Sequence, residues 1–197
     1  MYRKHLVLYV LVALFACVLM NGCAWQRIKP EMRPTTTSAL PIKVGVQLSN
    51  SPASGTYGPP VVAKLREYNT FQSISFPYHD GDDVDGVITL DIAGGWKSNA
   101  GANFGKGFLI GLTFFTLSPA IGPSMTGNHS VSAAINRAVK EVARYQTNFK
   151  TKVTWGMLAN TTQVAQKADA LQVSKIASFL SESIQNDWPK ISTEFKK

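Results

Sequence analysis

The sequence predicts an α+β fold: a small mixed sheet with amphipathic helices on one face, plus a glycine-flanked apolar segment. Three observations support this prediction. Residues 42–48, 73–78 and 88–92 alternate apolar and polar side chains with the period of two that is typical of half-buried strands. Apolar residues between 173 and 184 recur at the spacing of one helix face. The order strand, helix, strand, strand is typical of sheets that helices cover on one side.

Prolines and a capping residue predict the limits of two helices. Residues 49–58 are expected to form a loop, and Pro59 and Pro60 to open a short helix, because proline is tolerated in the first helical turn. The last helix is expected to begin at the run Asn160-Thr161-Thr162, which offers an N-cap. It is expected to end at Pro189, because proline breaks a helix interior.

Residues 128–155 fit two structures. Their first half places apolar side chains at a helical spacing, whereas their second half alternates as a strand does. The other interpretation is a long hairpin whose arms are residues 130–135 and 142–154. The hairpin is favoured, because Gly127 and the short side chain of Ala134 suit a strand that emerges from a loop.

The loop between the second and third strands is acidic. It carries four carboxylates that a hard cation could use as ligands: Asp80, Asp82, Asp83 and Asp85. The fifth position counted from Asp80 is Val84, however, and no glutamate follows that could bind a cation through both oxygens. A solvated turn without a metal is therefore predicted.

No arrangement of residues predicts catalysis. After residue 22 the sequence contains two histidines, His79 and His129, and no GxSxG motif of a serine hydrolase. His129 lies in a polar run and is expected to be exposed. We therefore expect no catalytic residue, no metal and no cofactor, and a hydrolase with an unrecognised site is the last alternative.

The N-terminus has the three parts of a secretion signal. Arg3 and Lys4 give it a positive charge, residues 6–20 are apolar, and a turn-forming pair at residues 21–22 ends the run. The 15 apolar residues are too few for a membrane-spanning helix, which needs about 20. Residues 1–22 are therefore predicted to be a signal peptide.

The motif MNGC that ends at Cys23 resembles the lipobox of bacterial lipoproteins. The resemblance implies that Cys23 is the first residue of the mature protein and carries several acyl chains, which together anchor a protein stably. The motif LFAC that ends at Cys17 is a rival, but cleavage there would leave the apolar residues 18–20 on the mature chain. Ala24 stands where an aspartate retains many lipoproteins in the inner membrane, so the outer membrane is the expected location.

The mature chain is basic and has two parts. Without Arg3 and Lys4, 18 of the 20 basic residues remain beside 12 acidic residues, a net charge of +6. In the envelope the natural partners of such a surface are anionic lipid head groups or lipopolysaccharide, not nucleic acid. The other interpretation, which is favoured, is a mildly basic surface with no specific partner. Residues 23–41 are rich in proline and threonine and are predicted to form a flexible tether, followed by a single periplasmic α+β domain at residues 42–197.

The apolar segment at residues 104–123 is the most unusual part of the sequence. Three interpretations remain open: a buried core helix or loop, a hairpin that enters the membrane, or a surface for self-association or for an envelope partner. GxxxG spacings at 101/105 and 107/111 would allow close contact between helices. Six large side chains cannot share one helix face, so a membrane or partner contact is expected for some of them: Phe108, Leu109, Leu112, Phe114, Phe115 and Leu117.

As a whole, the sequence resembles small uncharacterised proteobacterial lipoproteins. The resemblance rests on the lipobox, the tether, the α+β domain and the apolar segment that ends in SPAIGP at residues 118–123. It implies no known activity. We therefore expect a lipid-anchored envelope protein that acts as a non-enzymatic accessory, binding or assembly factor. The alternative is a subunit that enters the membrane or oligomerises through residues 104–123.

The lipidation site gives the first testable prediction. Replacing Cys23 by serine removes the thiol that would be acylated, so we expect Cys23→Ser to abolish labelling by a palmitate analogue and to block signal cleavage. Metabolic labelling followed by mass spectrometry of the N-terminus measures both effects. Labelling that survives Cys23→Ser and is lost in Cys17→Ser would place the processing site at the rival motif.

Overall fold

A computed structural model of the protein describes residues 26–35, 38–112, 121–156 and 159–195. The predicted signal peptide and Cys23 lie outside these residues. The described elements are, in chain order, β1 (Gln26–Arg27), β2 (Leu40–Leu48), α1 (Pro52–Glu67), β3 (Phe71–Ser75), β4 (Gly86–Ser98), α2 (Ala100–Leu112), β5 (Ser124–Arg137), β6 (Lys140–Trp155) and α3 (Thr161–Phe195).

The described strands form one mixed sheet in the order β1-β6-β5-β4-β2-β3. β2 lies parallel to both of its neighbours, β3 and β4, whereas β1 is antiparallel to β6. A turn of two residues, Ala138 and Val139, joins β5 to β6, so these strands form an antiparallel hairpin. The predicted α+β class is confirmed. The favoured hairpin for residues 128–155 is also confirmed, and the helical alternative is wrong.

The chain folds into two compact units. Unit I consists of the described residues between 26 and 29, 96 and 126, and 152 and 168, and unit II of the other described residues. The division into a signal, a tether and a single domain stays a prediction.

Unit II has an apolar core in which alternate residues of the strands pack against α1 and the second part of α3. The alternation that predicted β2 and β4 corresponds to buried side chains. The largest fully buried residues of this core are Val44, Leu65, Leu90, Ile92, Ile135, Ile176, Leu180 and Ile184. Each of them stabilises the fold by about 1.5–3 kcal/mol relative to an exposed position, so this core is what holds the two helices on the sheet.

Unit I has a smaller apolar core. Its buried residues are Val153, Ala159, Val164 and Ala168, with Ile28, Trp96, Met125 and Trp155 packed against them. Strand β1 joins this unit through antiparallel pairs of Gln26 with Trp155 and of Arg27 with Thr154. The amine of Lys167 also donates a hydrogen bond to Oε1 of Gln26 at 3.0 Å. The first described residues of the chain are therefore fixed within unit I.

α1 begins at Pro52, so the loop predicted for residues 49–58 is wrong. The hydroxyl oxygen of Ser51 accepts a hydrogen bond from the backbone N–H of Ser54 at 3.0 Å, which caps the helix. The proline pair at residues 59–60 lies inside the helix, where each proline lacks an N–H. Burial of one side of α1 in the core of unit II outweighs the missing hydrogen bonds.

α3 begins where the sequence predicts and ends later. Oδ1 of Asn160 accepts hydrogen bonds from the backbone N–H groups of Thr162 and Gln163 at 3.0 and 3.2 Å, so the predicted N-cap is confirmed. The predicted end at Pro189 is wrong, because the helix continues to Phe195. Apolar residues on both sides of the proline, such as Ile191, pack in the core of unit II. This packing holds the last turns in place.

Part of the segment predicted as a tether lies along the helices of unit II. The backbone N–H of Met32 donates a hydrogen bond to the hydroxyl of Ser174 at 3.1 Å, and its carbonyl accepts one from the hydroxyl of Tyr68 at 2.7 Å. Glu31 pairs with Lys64 at 3.0 Å. The chain therefore contacts α1 and α3 here before it enters β2.

Gly94 gives a prediction about the stability of unit II. Its φ of 103° is unfavourable for any other residue, and a Cβ at this position would lie 2.0 Å from the backbone oxygen of Asn128. We expect Gly94→Ala to lower the free energy of unfolding by about 2–5 kcal/mol, from backbone strain and from the forced shift of β5. Urea denaturation measures the change.

The neighbouring residue provides the control. A Cβ on Gly95 would meet nothing within 4 Å. Gly95→Ala should therefore unfold at nearly the urea concentration of the unchanged protein, and equal losses for the two variants would contradict the structural explanation.

Candidate membrane-contact site

Helix α2 turns its polar side toward the protein. Asn99 directly precedes α2, and Asn103 and Lys106 follow it at intervals of four and three residues, so the three lie on one side. Asn103 accepts a hydrogen bond from the backbone N–H of Ser124 at 2.8 Å and donates one to its carbonyl at 3.0 Å. The amine of Lys106 donates to the carbonyl of Gly122 at 3.1 Å and to the hydroxyl of Ser124 at 3.3 Å. Asn99 donates to the same hydroxyl at 3.3 Å.

The opposite side of α2 is apolar and exposed. Phe104, Phe108 and Leu112 follow at intervals of four residues, and their exposed fractions are 80%, 62% and 61%. Leu109 beside them is 48% exposed, whereas Ile110 on the inner side is fully buried. α2 is thus an amphipathic helix whose apolar stripe points away from the protein, the reverse of the usual arrangement in a water-soluble domain.

This orientation has an energetic cost in water. Each large apolar side chain left exposed forgoes about 1.5–3 kcal/mol of burial, and four of them are adjacent on α2. Contiguous exposed apolar surface of this kind usually marks a contact with a membrane or with another protein. The geometry therefore gives the apolar stripe, defined as Phe104, Phe108, Leu109 and Leu112, as the candidate functional site.

The structure places half of the predicted contact residues. Phe108, Leu109 and Leu112 lie together in the apolar stripe and are exposed. The interpretation of residues 104–123 as a buried core helix is therefore wrong for these three side chains. The other three, Phe114, Phe115 and Leu117, lie outside the described residues. Phe104 belongs to the apolar stripe but was not among the predicted residues, although its spacing of four residues from Phe108 was a signal that could have identified it.

The glycines of α2 have open surroundings. A Cβ on Gly101, Gly105 or Gly107 would meet nothing within 4 Å, so no other described part of the chain packs closely against these positions. Across the ranges that the structure describes, no helix combines the length and the apolar character needed to span a bilayer.

The site lies in the same unit as the first described residues of the chain. Gln26 is paired with Trp155 in unit I, and α2 belongs to the same unit. Cys23 precedes Gln26 by three residues, and three residues reach at most about 11 Å. A lipid on Cys23 would therefore keep unit I close to the membrane surface. This distance of about 11 Å between the lipid and unit I is much shorter than the distance that a free tether from residue 23 to 41 would allow.

The acidic loop uses its carboxylates within the protein. The Asp82 carboxylate accepts hydrogen bonds from the Ser75 hydroxyl at 2.6 Å and from the His79 backbone N–H at 3.1 Å, and these bonds lower the pKa of Asp82. Asp83 pairs with the amine of Lys43. Within the described ranges, no three histidine, cysteine, aspartate or glutamate side chains are grouped so that they could hold a metal ion.

His129 is buried, so the expectation that it is exposed is wrong. Its exposed fraction is 2%, and the ring of Tyr57 packs edge-on against it with 5.0 Å between ring centroids. Burial lowers the pKa of His129, and the nearby carboxylate of Asp169 opposes this shift. A cavity of about 310 Å³ runs beside it and includes Ser130 and Lys150. Both ring nitrogens of His129 are buried, although the residue lines that cavity. The sequence could not reveal this burial, because Tyr57 is distant along the chain.

Comparison with known proteins identifies a shared fold and no family. No family model and no curated protein matches the sequence. A protein of the family DUF330 from Xanthomonas campestris superposes with a TM-score of 0.50 at 10% identity, over 84% of this chain and 96% of that one. A minor lipoprotein from Acinetobacter baumannii gives a TM-score of 0.45 at 8% identity, over 74% and 93% of the two chains. The rare lipoprotein B from Shewanella oneidensis gives 0.39 at 10% identity, over 79% and 99%. At 10% identity the likeness to the Xanthomonas campestris protein concerns the fold alone.

The buried histidine predicts how stability depends on pH. The folded pKa of His129 lies below its ordinary value of 6.5, so the unfolded chain takes up the proton first as the pH falls. The stability that neutral His129 contributes is complete above the unfolded pKa, near 6.5, and is lost as the pH falls from there through the folded pKa. Below about pH 6.5 we expect the free energy of unfolding to fall by up to about 1.4 kcal/mol per pH unit until the pH has passed the folded pKa.

Two variants test whether His129 is the residue that causes this pH dependence. His129→Phe removes the titrating group and should flatten the profile, whatever its effect on overall stability. His79→Gln, at an exposed position, should keep the fall. A fall that disappears in His79→Gln and persists in His129→Phe would show that the assignment is wrong. Urea denaturation at a series of pH values measures all three proteins.

Proposed function

We propose that the protein is a lipoprotein of the bacterial envelope, anchored through Cys23, that acts by binding and not by catalysis. In this proposal the apolar stripe of α2 enters the head-group region of the bilayer and holds unit I on the membrane. The observation that carries the proposal is the orientation of α2, with Lys106 and Asn103 bonded to the protein and Phe104 and Phe108 exposed.

The position of the anchor favours lipid as the partner of the stripe. Cys23 is three residues from Gln26, and Gln26 belongs to the unit that carries α2. A helix that lies in a membrane interface needs an apolar side and a polar side, and it needs no great length. α2 satisfies this requirement with 13 residues. The residue after the lipidated cysteine, Ala24, supports the outer membrane as the location.

The second candidate is self-association through the same stripe. It is favoured by the same exposed side chains, because two such helices could cover each other. Unlike the membrane contact, self-association needs a second molecule of the protein and does not need lipid. The accessory or assembly role that the sequence suggests is compatible with either contact.

Charge-neutral changes in the stripe test the membrane contact. Phe104→Gln with Phe108→Gln keeps helix propensity and removes two aromatic side chains from the stripe. The test uses residues 23–197 with Cys23→Ser, produced without the signal peptide so that the chain carries no lipid. We expect the double change to weaken flotation with vesicles of envelope phospholipid by at least about tenfold, since each ring contributes about 1.5–3 kcal/mol when covered.

The control replaces two exposed apolar residues of unit II. Met32→Gln with Val139→Gln changes as much apolar surface outside the stripe and should float like the unchanged chain. Equal flotation of all three proteins would contradict the proposal. A chain that never floats, and that sediments as a dimer until the stripe is changed, would establish self-association in its place.

A further inference from the structure

The charges of the protein are divided unequally between the two units. The described part of unit II holds all 12 acidic residues and 10 basic ones, a net charge of −2. Unit I contains no acidic residue. Its basic residues are Arg27, Lys29, Lys97, Lys106, Lys152 and Lys167. The positive charge of the mature chain is therefore concentrated in the unit that carries the apolar stripe.

We propose that unit I selects anionic phospholipid, using its exposed cations together with the stripe as one membrane-recognition surface; these cations are Arg27, Lys29, Lys97, Lys152 and Lys167. The inference rests on the proposed function and adds the chemistry of the lipid head group to it. Lysine and arginine near an anionic leaflet each contribute about 1 kcal/mol, which corresponds to a factor of about five in binding. No carboxylate within unit I reduces this attraction.

The placement of the cations supports a surface contact. Five of the six side chains are exposed, and Lys106 is the exception, because its amine is bonded to Gly122 and Ser124. Lys97 lies three residues before α2 begins at Ala100. A basic polar surface next to an apolar stripe is the composition that binds the interface of an anionic membrane. A nucleic acid would bind to the cations but would leave the apolar stripe exposed to water.

Head-group selectivity is the measurement that tests the inference. The mature chain carrying Cys23→Ser is floated with vesicles of phosphatidylcholine alone and with vesicles that contain about one third phosphatidylglycerol. We expect much stronger association with the anionic vesicles, and a steep loss of it as salt is added. Changing Lys29, Lys97 and Lys152 to Gln should weaken binding to the anionic vesicles on the order of 100-fold. Binding to phosphatidylcholine should stay unchanged.

A triple variant of unit II has the same net charge and serves as the control. Arg33, Lys150 and Lys190, all exposed, are changed to Gln. This control should bind like the unchanged chain. If both triple variants lose affinity equally, total charge is the cause and the inference is overturned. If flotation depends on the stripe but not on phosphatidylglycerol, the inference fails while the proposed function stands. Matching urea denaturation curves establish that the variants are folded.

Discussion

The orientation of α2 depends on the hydrogen bonds that its polar side makes with Ser124. This serine is buried at the start of β5, and its N–H, carbonyl and hydroxyl are all bonded to Asn99, Asn103 or Lys106. A rotation of the helix would leave these groups buried without partners, at a cost of about 1–3 kcal/mol each. Several polar bonds therefore oppose the gain that burial of Phe104 and its neighbours would bring. The exposed apolar stripe is the consequence.

The sequence predicted what local patterns determine. Strict alternation identified β2, because one face of that strand is buried in the core of unit II, and Asn160 identified the start of α3 through its own side chain. The start of α1 was not predicted, because Ser51 is a weak signal beside the glycines and prolines that follow it. The orientation of α2 was also beyond prediction. A periodic pattern shows that a helix has two sides, but the choice of the inner side depends on Ser124, which lies beyond the end of the helix along the chain.

The concentration of positive charge in unit I could not be predicted from the composition either, because it also depends on which distant parts of the chain come together. Unit I is assembled from separate stretches of chain, and each stretch contributes only two of its six cations. None of them is a basic cluster by itself. Once the fold brings them into one unit, the apolar stripe, the cations and the chain next to Cys23 are no longer independent. If a lipid holds unit I at the surface, the other contacts act at high effective concentration, so each of them can be weak on its own.

The pairing of β1 has a consequence for the order of folding. Gln26 pairs with Trp155, and Met32 is bonded to Ser174, a residue 142 positions further along the chain. Contacts between such distant residues form slowly, because a long loop must close first. In a chain that crosses a membrane with its N-terminus leading, the first segment has no strand to join until residue 155 has also crossed. If the predicted signal peptide directs export in this way, the topology itself delays completion of the fold until residue 155 has crossed.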